Sequence, residues 1–465
     1  MKKLILFISL IALISTSCRK IEADGEAVKP GPPEENLVLE GKISSDRVLK
    51  SGSSYTLRGF VYVVDGATLT IEPGTIIKGE KSANTRGTLV ITRGSKIIAD
   101  GTRDRPIIFT SDQPNPERGD WGGIVVLGKA TTNASFNGVA GEGSVEGGVN
   151  NAEGLGLFGG NDDNDNSGIL RYVRIEYAGF AYLPDNELNG LTLAGVGKST
   201  VIDYLQVYKA NDDAVECFGG AVDLRHLFLV STLDDDLDTD NGWKGNVQWA
   251  IIVRDSSVAD ISKSEAFESD NDGNGSNLLP QTSGVYSNIT VIGPRATKNN
   301  KGNSLFLAGA QIRRNSSISI FNSIFMGWGT GILIDASKGV ATDQNILSGN
   351  LVLQNNIVSG AETPIGYAPG TAGQSGWNAD SVKNWFSRPD NGNSIFDANS
   401  EILLKDPFNY QQPDFTPLMN SPVLAGASFD HPKSAAFVKV PYRGAVGPEG
   451  SADADWWKGW TKTGF

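Results

Sequence analysis

The stretch VIDYLQVYKANDDAVECFGG (201–220), followed by VDLRHLFLVSTLDDDLDTDNGW (222–243) and SKSEAFESDNDGNG (262–275), writes one unit three times. Each unit carries an acid–hydrophobe–acid core: Asp213-x-Val215-Glu216, Asp235-x-Leu237-Asp238 and Glu265-x-Phe267-Glu268. Side chains alternate across a strand, so Val215, Leu237 and Phe267 point inward and the acids beside them point out. If the units stack in register, their acids stack as well. Like charges directly opposite on adjacent strands are destabilising. Such columns imply a cation, a proton shared between carboxylates, or a catalytic purpose.

Working outward, the same unit recurs as LRYVRIEY (170–177), IDYLQVYK (202–209), LRHLFLVS (224–231), VQWAIIVR (247–254), YSNITVIG (286–293), FNSIFMG (321–327) and QNNIVSG (354–360). These superpose with Tyr172, Tyr204, His226, Trp249, Asn288, Asn322 and Asn355 in one column. The two shortest spacings, 22 and 23 residues, give the bare rung, and the surplus elsewhere gives loop insertions. Upstream, Thr68-Leu69-x-Ile71-x-x-Gly74 and Thr88-Leu89-x-Ile91-x-x-Gly94 match at an offset of 20 residues. A period in the twenties without a helical signal means a β-solenoid. In the last three units Asn288, Asn322 and Asn355 each precede a Gly at a fixed distance, which predicts Asn side chains hydrogen-bonded along the solenoid. Residues 131–168 are polar and Gly-rich and read as an inserted loop on one face.

Composition agrees with an all-β chain: of 465 residues, 56 are Gly and 20 are Pro. The formal net charge of −13 makes a nucleic-acid backbone an unsuitable partner and suits divalent cations. Residues 1–17, MKKLILFISLIALISTS, have the charge and apolar run of an export signal. Cys18 follows small residues, which resembles a bacterial lipobox with Ser15 in place of the usual Leu; an ordinary signal peptide with an incidental cysteine is the alternative. Residues 18–36 then read as a lipidated Cys and a Pro-rich tether to the membrane, giving an exported outer-membrane or cell-surface lipoprotein. Lipid on Cys18 would leave Cys217 without a partner, so no intrachain disulfide is expected.

The repeats resemble a right-handed parallel β-helix of the pectate-lyase-like superfamily, and PDFTPLMNSPVLAGAS (413–428) resembles its closing coil. The resemblance covers Leu37 to Ser428. The tail 429–465 resembles the end of secreted bacterial β-helix proteins. Because a solenoid end exposes an apolar layer, the tail reads as a C-terminal cap in which Trp456, Trp457 and Trp460 pack back.

Two columns of acids follow from the register: Asp213, Glu216, Asp235, Asp238, Glu265 and Glu268 lie on successive rungs, with Asp270 and Asp272 at one end. Rungs about 4.8 Å apart bring the carboxylates within mutual repulsion, and a hard divalent cation relieves it. Asp270-x-Asp272-x-Asn274-Gly275 adds the first half of a calcium loop, without its closing Glu. Calcium is therefore the expected ion, with solvated acidic turns as the alternative. The resemblance implies further that β-helix lyases hold calcium on clustered acids beside a Lys or Arg base. Lys209, Lys244, Arg254 and Lys263 are the basic residues near in sequence, with Lys209 and Arg254 sharing a column, while Asp213 and Asp236 are candidates for a hydrolase acid and base. No confirming basic or Gly-His-Gly motif is present. His226 reads as a packed residue, and Trp243 and Trp328 as possible sugar platforms or core. The expected function is a calcium-binding surface protein that contacts polysaccharide, as a glycan-binding or adhesive lipoprotein. A calcium-dependent polysaccharide lyase or glycoside hydrolase, and a non-catalytic scaffold, are the alternatives.

Overall fold

The structure, a computed structural model, describes residues 37–82, 86–183, 186–370 and 376–465. The expected export signal, Cys18 and tether lie outside the described residues.

The chain winds into a right-handed parallel β-helix with three faces. The first face runs from Arg47–Leu49 through Thr68–Ile71 and Lys96–Asp100, then through the opening halves of Gly168–Glu176, Val201–Tyr208, Leu224–Val230 and Asn246–Val253. The closing halves of those strands form the second face, which begins at Val38–Glu40 beside Ser54–Leu57 and ends at Ser394–Phe396. The third face passes through Thr88–Ile91, Gly123–Leu127, Leu191–Ala194, Val215–Phe218, Leu237–Asp240, Phe267–Ser269, Ala308–Ile312, Thr330–Asp335 and Thr363–Ala368. Inward residues of all three faces fill one axial core, including Leu205, Val215, Leu237, Ala250 and Phe267.

The column read from the repeats is the corner between the first two faces. Tyr172, Tyr204, His226, Trp249, Asn288, Asn322 and Asn355 all have φ between 48° and 62°, the left-handed region. Asn adopts it readily; for a bulky residue it costs on the order of 1–3 kcal/mol. The four aromatic members offset that cost by stacking: ring centroids are 4.4 Å apart for Tyr172–Tyr204, 4.2 Å for Tyr204–His226 and 4.7 Å for His226–Trp249.

Two expectations change. The corner asparagines do not bond to one another. Asn288 Nδ2 donates to Tyr442 O at 2.9 Å and Asn322 Nδ2 to Ser428 O at 3.1 Å, so they fasten the returning tail. Their sequence neighbours make the axial ladder instead, with Ser323 N donating to Asn356 Oδ1 and Asn356 N to Asn393 Oδ1. Nor does the tail cover the end of the solenoid. The helix Ala379–Phe386 does so, burying Val382 and Phe386 in the core. The tail instead runs back along the flank, where Trp456 and Trp460 abut the aromatic corner edge-on and Trp457 packs on Phe228. Gln206 Nε2 and Tyr208 Oη donate to carbonyls of Lys462 and Gly464 and pin its last residues.

The 131–168 insertion lies over the third face, where Val145, Val149 and Phe158 pack on Val90, Val125 and Leu127. It thereby walls one side of the site described next.

Candidate functional site

The register places the acids as the repeats require. Glu216 pairs with Asp238, and Asp238 with Glu268, on adjacent strands of the third face. Asp213, Asp235 and Glu265 occupy the turn entering that face, and the backbone explains their repetition. Asp213 Oδ1 accepts the amide of Asp235 at 2.9 Å, and Asp235 Oδ1 accepts that of Glu265 at 2.6 Å. One oxygen of each Asp thus ties a rung to the next.

The acids converge on a cavity of about 350 Å³. Its floor is Asp213, Glu216, Asp235, Asp238 and Glu268; Asp212 and Asp234 form its rim; Glu146 and Glu187 reach in from inserted loops; Lys263, Arg313 and Arg314 supply the positive charge. Within it, one carboxylate oxygen from each of Asp213, Glu216 and Asp238 lies within 4.8 Å of the others. The same spacing holds for Asp212, Asp213 and Asp234, and for Asp235, Glu265 and Glu268, of which Glu265 lies behind the cavity wall and does not line it. Unit charges about 5 Å apart repel by about 3 kcal/mol at an effective dielectric near 20.

Burial and mutual repulsion raise the affinity of these groups for protons. Burial, then Asp270, pushes Asp238 up to about 7, and burial likewise raises Asp234 to about 7. Asp213, Glu216, Asp235 and Glu268 are also driven well above the ordinary carboxylate range, first by burial. The donor set fits a hard divalent ion, because it consists of carboxylate oxygens at the spacing such an ion bridges. Asp238 Oδ1 is buried without a hydrogen-bond partner, whereas the Glu265 carboxyl lies against that of Asp235.

Other expected residues stand apart. Asp270 is held by both Arg313 and Arg314, at 2.9 and 2.6 Å, and Arg313 also contacts Glu268. Asp272 closes its own loop: its carboxylate accepts from the amides of Asn274 and Ser276 and from the Ser276 hydroxyl. The half calcium loop is therefore a self-satisfied turn. Arg254 and Asp236 form an ion pair at 2.9 Å with both side chains fully buried, and Thr232 Oγ1 donates to the same carboxylate. Burial lifts Asp236 to about 6 against the pull of Arg254. Neither residue can touch a substrate. Lys209 does share Arg254's column, but it lies 5.3 Å from the Tyr208 ring and does not line the cavity. His226 is stacked in the corner with Nδ1 2.7 Å from Asp203 Oδ1. Trp243 and Trp328 are core, 0% and 1% exposed. Trp243 fills space that Gly284 leaves, since a Cβ there would sit 1.9 Å from the indole.

Asp212 stands in the Asn211–Glu216 acid motif that resembles lyase acid clusters, whereas Asp234, Glu146, Glu187, Arg313 and Arg314 were not singled out from sequence. For Asp212 and Asp234 a signal existed, because each immediately precedes a column acid. The others come from insertions or from a later rung and have no local pattern.

A three-faced parallel solenoid with an acidic cavity on its third face defines the class. A family model described as the pectate-lyase-like β-helix domain matches residues 41–385, and the chain belongs to that family. The match ends inside the helix that closes the solenoid. No curated protein and no solved structure matches the chain. Membership implies a carbohydrate-related role.

Proposed function

We propose that the protein is a calcium-binding, glycan-contacting surface β-helix whose ligand is held at the acidic cavity of the third face. The observation that carries this reading is the partnerless buried oxygen Asp238 Oδ1, set among carboxylates spaced for a divalent ion. Asp213, Glu216 and Asp238 would hold the ion. Bound there, it would offset part of the column's negative charge and offer coordination positions to the oxygens of a polysaccharide. The test is retention of the protein on immobilised acidic polysaccharides with calcium and with chelator. Calcium-dependent retention that weakens in Glu216→Gln is expected; retention indifferent to chelator, or none across a broad panel, refutes the reading.

A second reading, an acidic-polysaccharide lyase, is favoured by Lys263, whose side chain stands at the cavity wall beside the carboxylates. Release of unsaturated products, followed by ultraviolet absorbance and abolished in Lys263→Ala, would establish it over simple binding.

The N-terminal sequence supports anchorage through lipid on Cys18, with residues 19–36 as tether, at the outer membrane or cell surface. Metabolic acyl labelling that disappears in Cys18→Ala is the expected result. Labelling that persists in that variant, or is absent from the full chain, excludes it.

A further inference from the structure

The first face carries two outward columns upstream of the tail. One is β-branched and mostly apolar: Val48, Thr70, Ile98, Ile169 and Val201 lie on successive rungs. The other alternates in sign, with Asp100, Arg171, Asp203 and Arg225 on successive rungs. Val48 is 39% exposed and the other members of both columns are half-buried, while the inward residues between them, Ile97, Leu170 and Ile202, belong to the core. Downstream on the same face Val285 and Phe321 are buried beneath Phe429 and Phe437 of the tail, whose edge reaches Gln248. Among the described residues, no hydrophobic cluster takes in Ile98, Ile169 or Val201.

We propose that this half of the first face docks a second copy of the chain through a two-fold axis parallel to the strands, so that the two solenoids run antiparallel. The charges select that partner. Under this axis each column meets itself in reverse order, so Asp100 faces the partner's Arg225 and Arg171 faces the partner's Asp203. An alternating column read backwards opposes every charge with its opposite. Ile169 then lies on the partner's Val201, apolar on apolar. A two-fold axis along the solenoid would instead lay the apolar column over the charged one. Within the chain the column is only partly satisfied: Arg171 reaches Asp100 at 3.4 Å, Asp203 holds His226 at 2.7 Å, and Arg225 has no ion pair among the described residues. About six rungs of about four residues present on the order of 400 Å² per subunit. That is below the roughly 800 Å² of a standard interface, so the dimer is expected to be weak and reversible.

The experiment is analytical ultracentrifugation of the full chain in density-matched detergent over a concentration series, with folding of every variant checked by circular dichroism. A protein mass rising from one chain towards two is expected. Arg225→Asp and Asp100→Arg each put like charges opposite one another at both ends of the interface, and each should raise the dissociation constant by about tenfold. Mixing the two variants should restore wild-type association, because in the mixed dimer every facing pair is again of opposite sign. If either reversal does not fold, Ile169→Lys reads the same face and should leave monomer only. A wild-type monomer at every concentration overturns the proposal, whether the face stays bare or is taken by the chain's own residues 19–36. Association unchanged in the variants, or a mixture no better than either variant alone, overturns the antiparallel arrangement.

Discussion

Replacing Arg254 by Met should destabilise the fold far more than it affects any ligand. Arg254 Nη1 donates to Asp236 Oδ2 at 2.9 Å and to Glu265 O at 3.4 Å, Nη2 donates to Leu233 O at 3.2 Å, and both partners of the ion pair are fully buried. Methionine keeps much of the volume but leaves the buried Asp236 carboxylate without its counter-charge, with only Thr232 Oγ1 donating to it, and leaves Leu233 O with only Ser264 Oγ. Breaking a buried pair by removing one partner costs about 3–5 kcal/mol. Removing the charge from both should recover most of that, so Arg254→Met/Asp236→Asn is expected to lie within about 2 kcal/mol of wild type. Urea unfolding followed by tryptophan fluorescence reads the difference directly, because most tryptophans here are buried in the core or beneath the tail. A loss below about 1 kcal/mol in Arg254→Met, or unchanged stability with lost glycan binding, would refute the structural role and return Arg254 to the list of functional bases.

Two further outcomes are expected. Trp456→Ala should cost about 3–5 kcal/mol, because the indole is 5% exposed and lies edge-on to His226 and Tyr204; a change within 0.5 kcal/mol, roughly the effect of a surface substitution, would mean the tail does not buttress the corner. In chelator, thermal stability should fall as pH rises from about 4, the ordinary carboxylate value, through the value near 7 reached by Asp234 and Asp238. The sign follows from linkage: the folded state binds more protons than the unfolded one in that window, so raising pH removes stability. Calcium should flatten the fall, and a melting temperature that rises with pH in chelator would contradict it.

The axial pattern was readable because period-two alternation and the 22- and 23-residue rungs fix which residues share a column. That register correctly superposed Tyr204 on His226 and Glu216 on Asp238. What escaped depends on contacts the register does not contain. Arg313 reaches Glu268 and Asp270 from a later rung, and Glu146 arrives from the insertion, whose length carries no register. Arg254 and Lys209 share a column as read, yet column membership does not say that one side chain turns into the protein and the other lies over a tyrosine ring. Asp272 looked like a ligand because its spacing matches a calcium loop; the same spacing serves an Asp that caps its own turn. The tail's tryptophans were right as packing residues and misplaced as an end cap, because apolar content alone does not distinguish the flank of a solenoid from its end.

The most direct test of the acidic column as a cation site is an anomalous difference map from a crystal grown with calcium or a lanthanide substitute. Density within bonding distance of Asp213, Glu216 and Asp238 is the expected result. Density confined to the Asp272 loop, or a column with no bound ion at saturating metal, would contradict it.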